Sequence, residues 1–155
     1  MKTKHVLIAI LALSILMITG CSYTIGSDTQ SEFPPSMSAL IKINGKEYEM
    51  EEGNYKWVRK KGSTTQVYQT DHASPYQMAD HIEPISVKPN EKVDIEIEDN
   101  PDLKVYTWDE NGRGEEVKHN GNQLTVPSSD GTYIYEVEAE WGNGTVSYTF
   151  LLEVH

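Results

Sequence analysis

Hydrophobic and polar residues alternate along most of the chain from about residue 38 onward. The segment "ALIKINGKEYEME" has two alternating runs on either side of Asn44-Gly45. This dipeptide favours a type I′ hairpin turn, because both central residues of that turn need a positive φ. Further alternating runs are "VDIEIE", "LKVYTW", "TYIYEVEAEW" and "TVSYTFLLEV". Short strands with turn signals every eight to twelve residues or so predict an all-β fold, a β-sandwich.

The run "TYIYEVEAEW" predicts a strand with one buried face and one solvent-exposed face. Its aromatic and small apolar residues share one side, and its acidic residues share the other. The first set is Tyr133, Tyr135, Val137, Ala139 and Trp141; the second is Glu136, Glu138 and Glu140.

One short helix is predicted in the less regular first half of the fold. Ser74 is the expected cap, Pro75 suits the first helical position, and Pro84 ends the segment, which leaves about two turns. Before it, "GNYKWVRKKG" predicts a strand with Tyr55 and Trp57 on one face and charged residues around them.

The N-terminus has the pattern of a secretory signal. Lys2 and Lys4 precede "VLIAILALSILMI", an apolar run that is too short to span a bilayer comfortably. The run leads through Ile18, Thr19 and Gly20 into Cys21, the single cysteine of the chain.

This N-terminal arrangement resembles the lipobox of bacterial lipoprotein precursors. The resemblance implies that residues 1–20 are a signal peptide, that cleavage falls between Gly20 and Cys21, and that the Cys21 thiol carries diacylglycerol. Two or three acyl chains of the palmitate type make such an anchor effectively permanent. The expected location is therefore the extracytoplasmic side of the cell membrane, without a membrane-spanning segment.

Residues 21–37 are predicted to be a flexible linker that follows the lipidated cysteine. The stretch is polar and small, contains Pro34 and Pro35, and lacks sustained periodicity. After it, we expect a hairpin, strand and short-helix region over 38–84 and a β-sandwich over 85–155.

The segment "SSDGTYIYEV" resembles the corner before the penultimate strand of immunoglobulin-like domains. Ser129, Gly131 and Tyr133 match the acidic residue, glycine and tyrosine of that corner, and Tyr135 stands where the core cysteine would be. The resemblance implies that the Tyr133 hydroxyl bonds back to the corner backbone.

The same resemblance makes Trp108 a candidate for the core tryptophan of such a sandwich, although alternation leaves open whether Trp108 or Val105 faces inward. Taken whole, the chain resembles small surface lipoproteins of low-GC Gram-positive bacteria with an immunoglobulin-like C-terminal half. That resemblance implies a location and a fold, and no reaction.

The chain is strongly acidic, which argues against nucleic acid as a partner. Its formal net charge is −11, and loss of Lys2 and Lys4 with the leader makes the remainder about −13. Such a surface repels phosphate backbones and anionic headgroups.

Candidate chemistry is sparse. His72 and His81, each beside an aspartate, are weak candidates for a metal site. The segment "WDENGRGEE" predicts a hairpin turn rather than a calcium loop, because Arg113 occupies a position that needs an oxygen donor. No nucleophile elbow is present, and no cofactor is expected. Any ligand surface is expected at Tyr55, Trp57 and Tyr76.

The sequence therefore predicts a monomeric, non-catalytic, lipid-anchored binding module whose partner is an envelope protein or polymer. Two alternatives remain open. One is a tethered inhibitor of a secreted hydrolase that uses an exposed loop, either "DENGRG" or residues 63–71. The other is a metal-binding or small-ligand-binding protein that uses the region of His72 and His81.

Overall fold

The computed structural model describes residues 33–155, and this part of the chain contains twelve strands and one short helix. The strands before the helix are β1 Ala39–Ile43, β2 Lys46–Glu49, β3 Glu51–Lys61 and β4 Thr64–Thr70. The helix α1 is Pro75–Met78, followed by a 3-10 turn at Ala79–His81. The later strands are β5 Ile85–Val87, β6 Lys92–Ile97, β7 Asp102–Asp109, β8 Gly112–Glu116, β9 His119–Asn120, β10 Gln123–Thr125, β11 Gly131–Trp141 and β12 Gly144–Val154.

These strands form two sheets, and the predicted all-β sandwich is confirmed. The five-stranded sheet has the order β2-β1-β6-β10-β9. The other sheet has the order β4-β3-β12-β11-β7-β8, and β5 pairs in parallel with the end of β12. The core lies between the sheets, where Ile41, Ile95 and Leu124 pack with Val137 and Phe150.

Segments 38–84 and 85–155 both contribute strands to each sheet. In the five-stranded sheet, Ile41 of β1 pairs with Ile95 of β6. In the larger sheet, Tyr55 of β3 pairs with Val146 of β12. The N-terminal hairpin is therefore built into the sandwich through long-range strand pairing.

The local predictions for the first turn and the helix are confirmed. Asn44 and Gly45 have φ values of 51° and 77°, as a type I′ turn requires. Ser74 and Gln77 form a capping box at the start of α1, with Pro75 in the first turn. The predicted two turns are one α-helical turn and one 3-10 turn, and the chain is extended again at Ile82, before Pro84.

The corner before β11 has the hydrogen bond that the sequence predicts. The Tyr133 hydroxyl donates to the Ser129 carbonyl oxygen at 3.0 Å. Tyr135, which stands in place of a core cysteine, stacks on Phe150 with ring centroids 5.0 Å apart. Stacking of two large rings supplies here the core contact that a disulfide supplies elsewhere.

The pairing of β7 with β11 decides whether Val105 or Trp108 faces the core. Val105 pairs with Val137, is fully buried and belongs to the core. Trp108 lies on the opposite face of the strand, where its indole Nε1–H donates to Glu136 at 2.7 Å. Trp108 is therefore not the core tryptophan of the sandwich.

The outer face of β11 is not uniformly solvated, which corrects the prediction for Glu136. That side chain is only 3% exposed. Helix α1 covers a neighbouring part of the same outer face, where the Thr149 hydroxyl lies 3.7 Å from the Met78 sulfur and both residues are buried. The larger sheet therefore has buried polar groups on its outer face, which the alternating pattern predicts to be solvent-exposed.

The end of the predicted linker is also corrected, because residues 33–37 pack against the fold. The Phe33 ring meets the Tyr68 ring edge to face, with centroids 5.1 Å apart. Met37 packs against the core, and its carbonyl oxygen accepts a hydrogen bond from the Tyr148 hydroxyl at 3.3 Å. One aromatic contact, the packing of Met37 and a hydrogen bond to its carbonyl oxygen hold this stretch against the fold despite its polar and proline-rich composition.

Candidate functional site

The three aromatic residues predicted to form a ligand surface lie in different environments. Trp57 is 1% exposed and packs against Trp141, with ring centroids 5.2 Å apart. Tyr55 is half-buried against the core, whereas Tyr76 on α1 is 44% exposed. The prediction is wrong for Trp57, because pairing of β3 with β12 turns its ring inward.

The two candidate histidines are both exposed. The backbone N–H of His72 donates to the Asn54 side chain. His81 ends the 3-10 turn and lines an open groove of about 700 Å³ beside Lys46 and Tyr48. Among residues 33–155, no group of three or more His, Cys, Asp or Glu side chains is placed to hold a metal ion.

The segment "WDENGRGEE" forms a hairpin, as the sequence predicts. Asp109 ends β7, Gly112 begins β8, and the Asp109 carboxylate accepts the Asn111 backbone N–H at 2.7 Å. Arg113 follows the turn and points back over the outer face of the sheet, where its guanidinium lies 2.9 Å from the Glu136 carboxylate.

Glu136 is the buried centre of a polar cluster that the sequence did not reveal. Its carboxylate accepts hydrogen bonds from the Trp108 indole and from Arg113, and Arg113 also lies over the Tyr106 ring, 4.4 Å from its centroid. Burial lowers the pKa of Arg113, but the hydrogen bond and charge of Glu136 and the charge of Glu138 outweigh burial and raise it. Since every partner is satisfied within the cluster, its evident role is to hold β7, β8 and β11 together.

One open cleft has an acidic rim. It has a volume of about 770 Å³ and is open to solvent, and Glu96, Glu98 and Asp102 line it together with His119 and Asn122. Glu96 is engaged by Lys42 at 2.8 Å, so part of this negative charge is already paired within the protein.

A different surface stands out by its charge. We call residues 56–70, the outer part of the β3–β4 hairpin, the basic ribbon. It carries four basic residues and no acidic one, whereas the rest of residues 33–155 carries seven basic and 22 acidic residues. The four cations are Lys56, Arg59, Lys60 and Lys61.

The basic ribbon extends past the end of the larger sheet. Pairing of β3 with β12 ends where Trp57 meets Gly144, and the Val58 N–H then donates to the Asn143 carbonyl oxygen at 2.8 Å. Beyond that point, β3 pairs only with β4 among the described strands. Four further residues bring the strand to Lys61, a projection of about 13 Å.

Local sequence explains why this hairpin closes where it does. Lys61 pairs with Thr64, so Gly62 and Ser63 form a two-residue turn. Gly62 has a φ of 62° and Ser63 has no positive φ, the pattern of a turn that needs glycine at its first central position. The flanking threonines, valines and aromatic residues favour strands.

Alternation gives the basic ribbon two distinct faces. On the outer face, Val58 pairs with Val67, and Lys56 and Lys60 flank this apolar pair on the same strand. Val67 is 52% exposed. Cations around a partly exposed apolar pair form an amphipathic surface, as binding surfaces often do.

The inner face of the basic ribbon holds the beginning of the described chain. The Phe33 ring lies against Tyr68, and the Arg59 guanidinium lies 4.3 Å from the Phe33 ring centroid. Arg59 is held further by a 2.8 Å hydrogen bond from its Nε to Gln66. The chain therefore enters the fold alongside the ribbon.

Comparison with known proteins adds no assignment to this geometry. No known family matches the chain, and no curated protein or solved structure is significantly similar to it. Within residues 33–155, no helix has both the length and the apolar character that a membrane crossing requires. Gly20 and Cys21, the predicted cleavage and lipidation positions, lie outside the described residues.

Proposed function

We propose that this protein is a non-catalytic interaction module, anchored by lipid at Cys21 to the extracytoplasmic side of a bacterial cell membrane. The lipobox-like sequence at residues 18–21 supports the anchor. The contact surface is the basic ribbon, and the partner is anionic. One observation carries this assignment: the ribbon contains four cations and no anion in a chain that is otherwise dense in carboxylates.

The geometry of the basic ribbon supports a role in contact. Its tip extends about 13 Å beyond the sheet, which exceeds the Debye length of about 8 Å at physiological ionic strength. The positive charge at the tip is therefore not cancelled by the acidic body. Complementary charge of this kind speeds encounter and selects partners by sign.

Crosslinking on intact cells tests the proposal. The protein carries a tag after His155, which follows the end of β12 at the opposite end of the sheet from the basic ribbon. We expect the tagged protein to capture an anionic envelope component, and Cys21→Ala to lose that capture because the untethered protein leaves the membrane. The variant Lys60→Gln/Lys61→Gln should also lose it.

A matched control is Lys46→Gln/Lys118→Gln, which removes the same charge from exposed positions outside the basic ribbon. This variant should capture the component as the unmodified protein does. Equal loss of capture in both double variants would show that net charge alone causes the effect and would refute a binding site at the ribbon. Capture that Cys21→Ala leaves unchanged would refute the lipid anchor.

One alternative, a tethered inhibitor of a secreted hydrolase, is favoured by the same projecting hairpin. An inhibitor inserts a rigid loop into a catalytic cleft, and residues 61–64 at the ribbon tip have that form. This alternative predicts that the captured component is a hydrolase and that the purified protein slows its turnover. Ala substitution at Ser63 and Thr64 should then relieve inhibition without loss of the lysines.

The other alternative, a metal or small ligand at the region of His72 and His81, is tested separately. It predicts that zinc raises the melting temperature of the protein and that His72→Ala/His81→Ala removes this effect. Zinc binding to the carboxylate-rich surface outside the ribbon would raise the melting temperature less, and the double substitution would not remove that smaller rise.

A further inference from the structure

We propose that the basic ribbon docks onto the anionic lipid headgroups of the same membrane that carries the Cys21 anchor, and so fixes the orientation of the domain. This inference rests on the proposed function, because it needs the lipid anchor. It names the anionic partner of the ribbon as a membrane surface.

The first argument is position. Phe33 packs on Tyr68 and Arg59 of the ribbon, so the chain that leads back to Cys21 leaves the fold beside this hairpin. Eleven residues lie between Cys21 and Phe33, so the two are twelve Cα-to-Cα steps apart. A chain of that length reaches at most about 40 Å, and a random coil of the same length would span roughly 17 to 21 Å. The ribbon is thus held close to the headgroups.

The second argument is the direction of the ribbon. It extends beyond the end of the sandwich at which β11 turns into β12, and Trp141 at this turn donates from its indole to the Glu98 carbonyl oxygen at 3.2 Å. Asp102 pairs with Glu140 at the same end. Repulsion between these carboxylates and anionic lipids keeps the body away from the surface, while the ribbon bridges the gap.

The third argument is the composition of the exposed part. Val67 on the outer face is 52% exposed, Tyr68 on the inner face is 41% exposed beside Phe33, and Lys60 and Lys61 are exposed near the tip. Tyrosine is favoured at the membrane interface, and cations near an anionic leaflet gain from its negative potential. A polymer free in the envelope could reach any face of the domain, whereas this surface is the one beside the tether.

A fluorescent label at the ribbon tip tests the inference. Once Cys21 is lipidated, the chain has no other cysteine, so Thr65→Cys supplies the single reactive thiol for an environment-sensitive dye. The lipidated protein is reconstituted in vesicles of phosphatidylcholine, alone or mixed with phosphatidylglycerol. The matched control is Asn111→Cys in the β7–β8 turn, at the opposite edge and the opposite end of the sheet.

We expect the dye at Thr65 to shift to shorter wavelength only in vesicles with phosphatidylglycerol, and the dye at Asn111 to remain unchanged. High salt should reverse the shift while the protein stays on the vesicles. Each cation strengthens contact with such a surface roughly fivefold. Lys60→Gln/Lys61→Gln should therefore weaken docking by about 25-fold and remove most of the shift, with an unchanged near-ultraviolet dichroism spectrum.

Equal emission at Thr65 in the two kinds of vesicle overturns the inference and leaves the anchor intact. A shift that soluble polyphosphate produces on neutral vesicles, equal to that with phosphatidylglycerol, also overturns it and assigns the ribbon to a polymer. Failure of the protein to float with neutral vesicles, or absence of the diacylglyceryl mass on Cys21, overturns the proposed anchor and this inference with it.

Discussion

Replacement of Gly144 by alanine should destabilise the fold, because no space exists for a methyl group there. Gly144 pairs with Trp57, whose ring is 1% exposed and wedged against Trp141. A Cβ at position 144 would lie 2.5 Å from Trp57 Cδ2 and 2.7 Å from the Lys56 carbonyl oxygen. Both distances are well below van der Waals contact, so a buried ring and a strand backbone must shift together.

Overpacking of a core costs about 1 to 3 kcal/mol. Because the Lys56 carbonyl belongs to the β3–β12 pairing, we expect the upper end of that range, about 3 kcal/mol of unfolding free energy. Urea unfolding followed by tryptophan fluorescence should show a midpoint lowered by about 1 to 2 M, and the melting temperature should fall by about 10 °C.

Gly142→Ala is the matched control for this prediction. It lies two residues earlier, in the turn between β11 and β12, has no positive φ, and its added Cβ would meet nothing within 4 Å. Its stability should stay within about 0.5 kcal/mol of the original. Equal midpoints for the two alanine variants would refute the reasoning, because they would show that the Trp57 ring adjusts without cost.

Two further predictions concern buried groups of the larger sheet. Arg113→Met should cost about 2 kcal/mol, because it leaves the buried Glu136 carboxylate with only the Trp108 indole as partner. Glu136→Leu in the same chain should recover most of that loss. An unchanged urea midpoint in the single variant would show that Arg113 does not stabilise the Glu136 carboxylate. Burial raises the pKa of Tyr135 from 10.0 to about 12, and burial also raises the pKa of Tyr148. Stability should therefore be fully present below pH 10 or so and fall as pH rises through about 12. Urea midpoints across this range should fall less for Tyr135→Phe, and an equal fall would exclude Tyr135 as the cause.

Features that depend on a few adjacent residues were predictable from the sequence. The Asn44-Gly45 turn and the Ser74 cap follow from local φ preferences and local hydrogen bonds. The Tyr133 hydrogen bond follows from a four-residue corner. Such features form the same way in whatever topology surrounds them, so alternation and turn chemistry were sufficient to predict them.

Features that depend on which strands pair were not predictable. Glu136 looked solvent-exposed because it alternates with core residues, yet its partners Trp108 and Arg113 lie 28 and 23 residues earlier in the chain. Only the order β11-β7-β8 brings them over it. Likewise, alternation placed Tyr55 and Trp57 on one face but could not say that β12 would turn this face inward.

The role of the charged residues in the basic ribbon was also not predictable from the sequence alone. The run "KWVRKK" is visible in the sequence, where it indicates only a charged strand. The register of the strands changes this interpretation, because β12 begins at Gly144 opposite Trp57 and leaves Arg59, Lys60 and Lys61 beyond its pairing with β3. A charge run within a sheet is a solvated face, whereas a charge run on a projecting hairpin is a surface that a partner can reach.

The simplest explanation for lysines near an outer strand is protection of the sheet edge. The distribution of charge argues against this explanation. Proteins guard edge strands with charged side chains on the edge itself. Here β2 and β8 follow that rule, with three charged residues each in "KEYE" and "GRGEE". The edge strand β4, "TTQVYQT", carries none, and the cations lie on its inner neighbour β3. Among the described strands, the basic ribbon thus combines an uncharged edge with an adjacent row of cations, an arrangement that suits contact with an anionic partner better than avoidance of one.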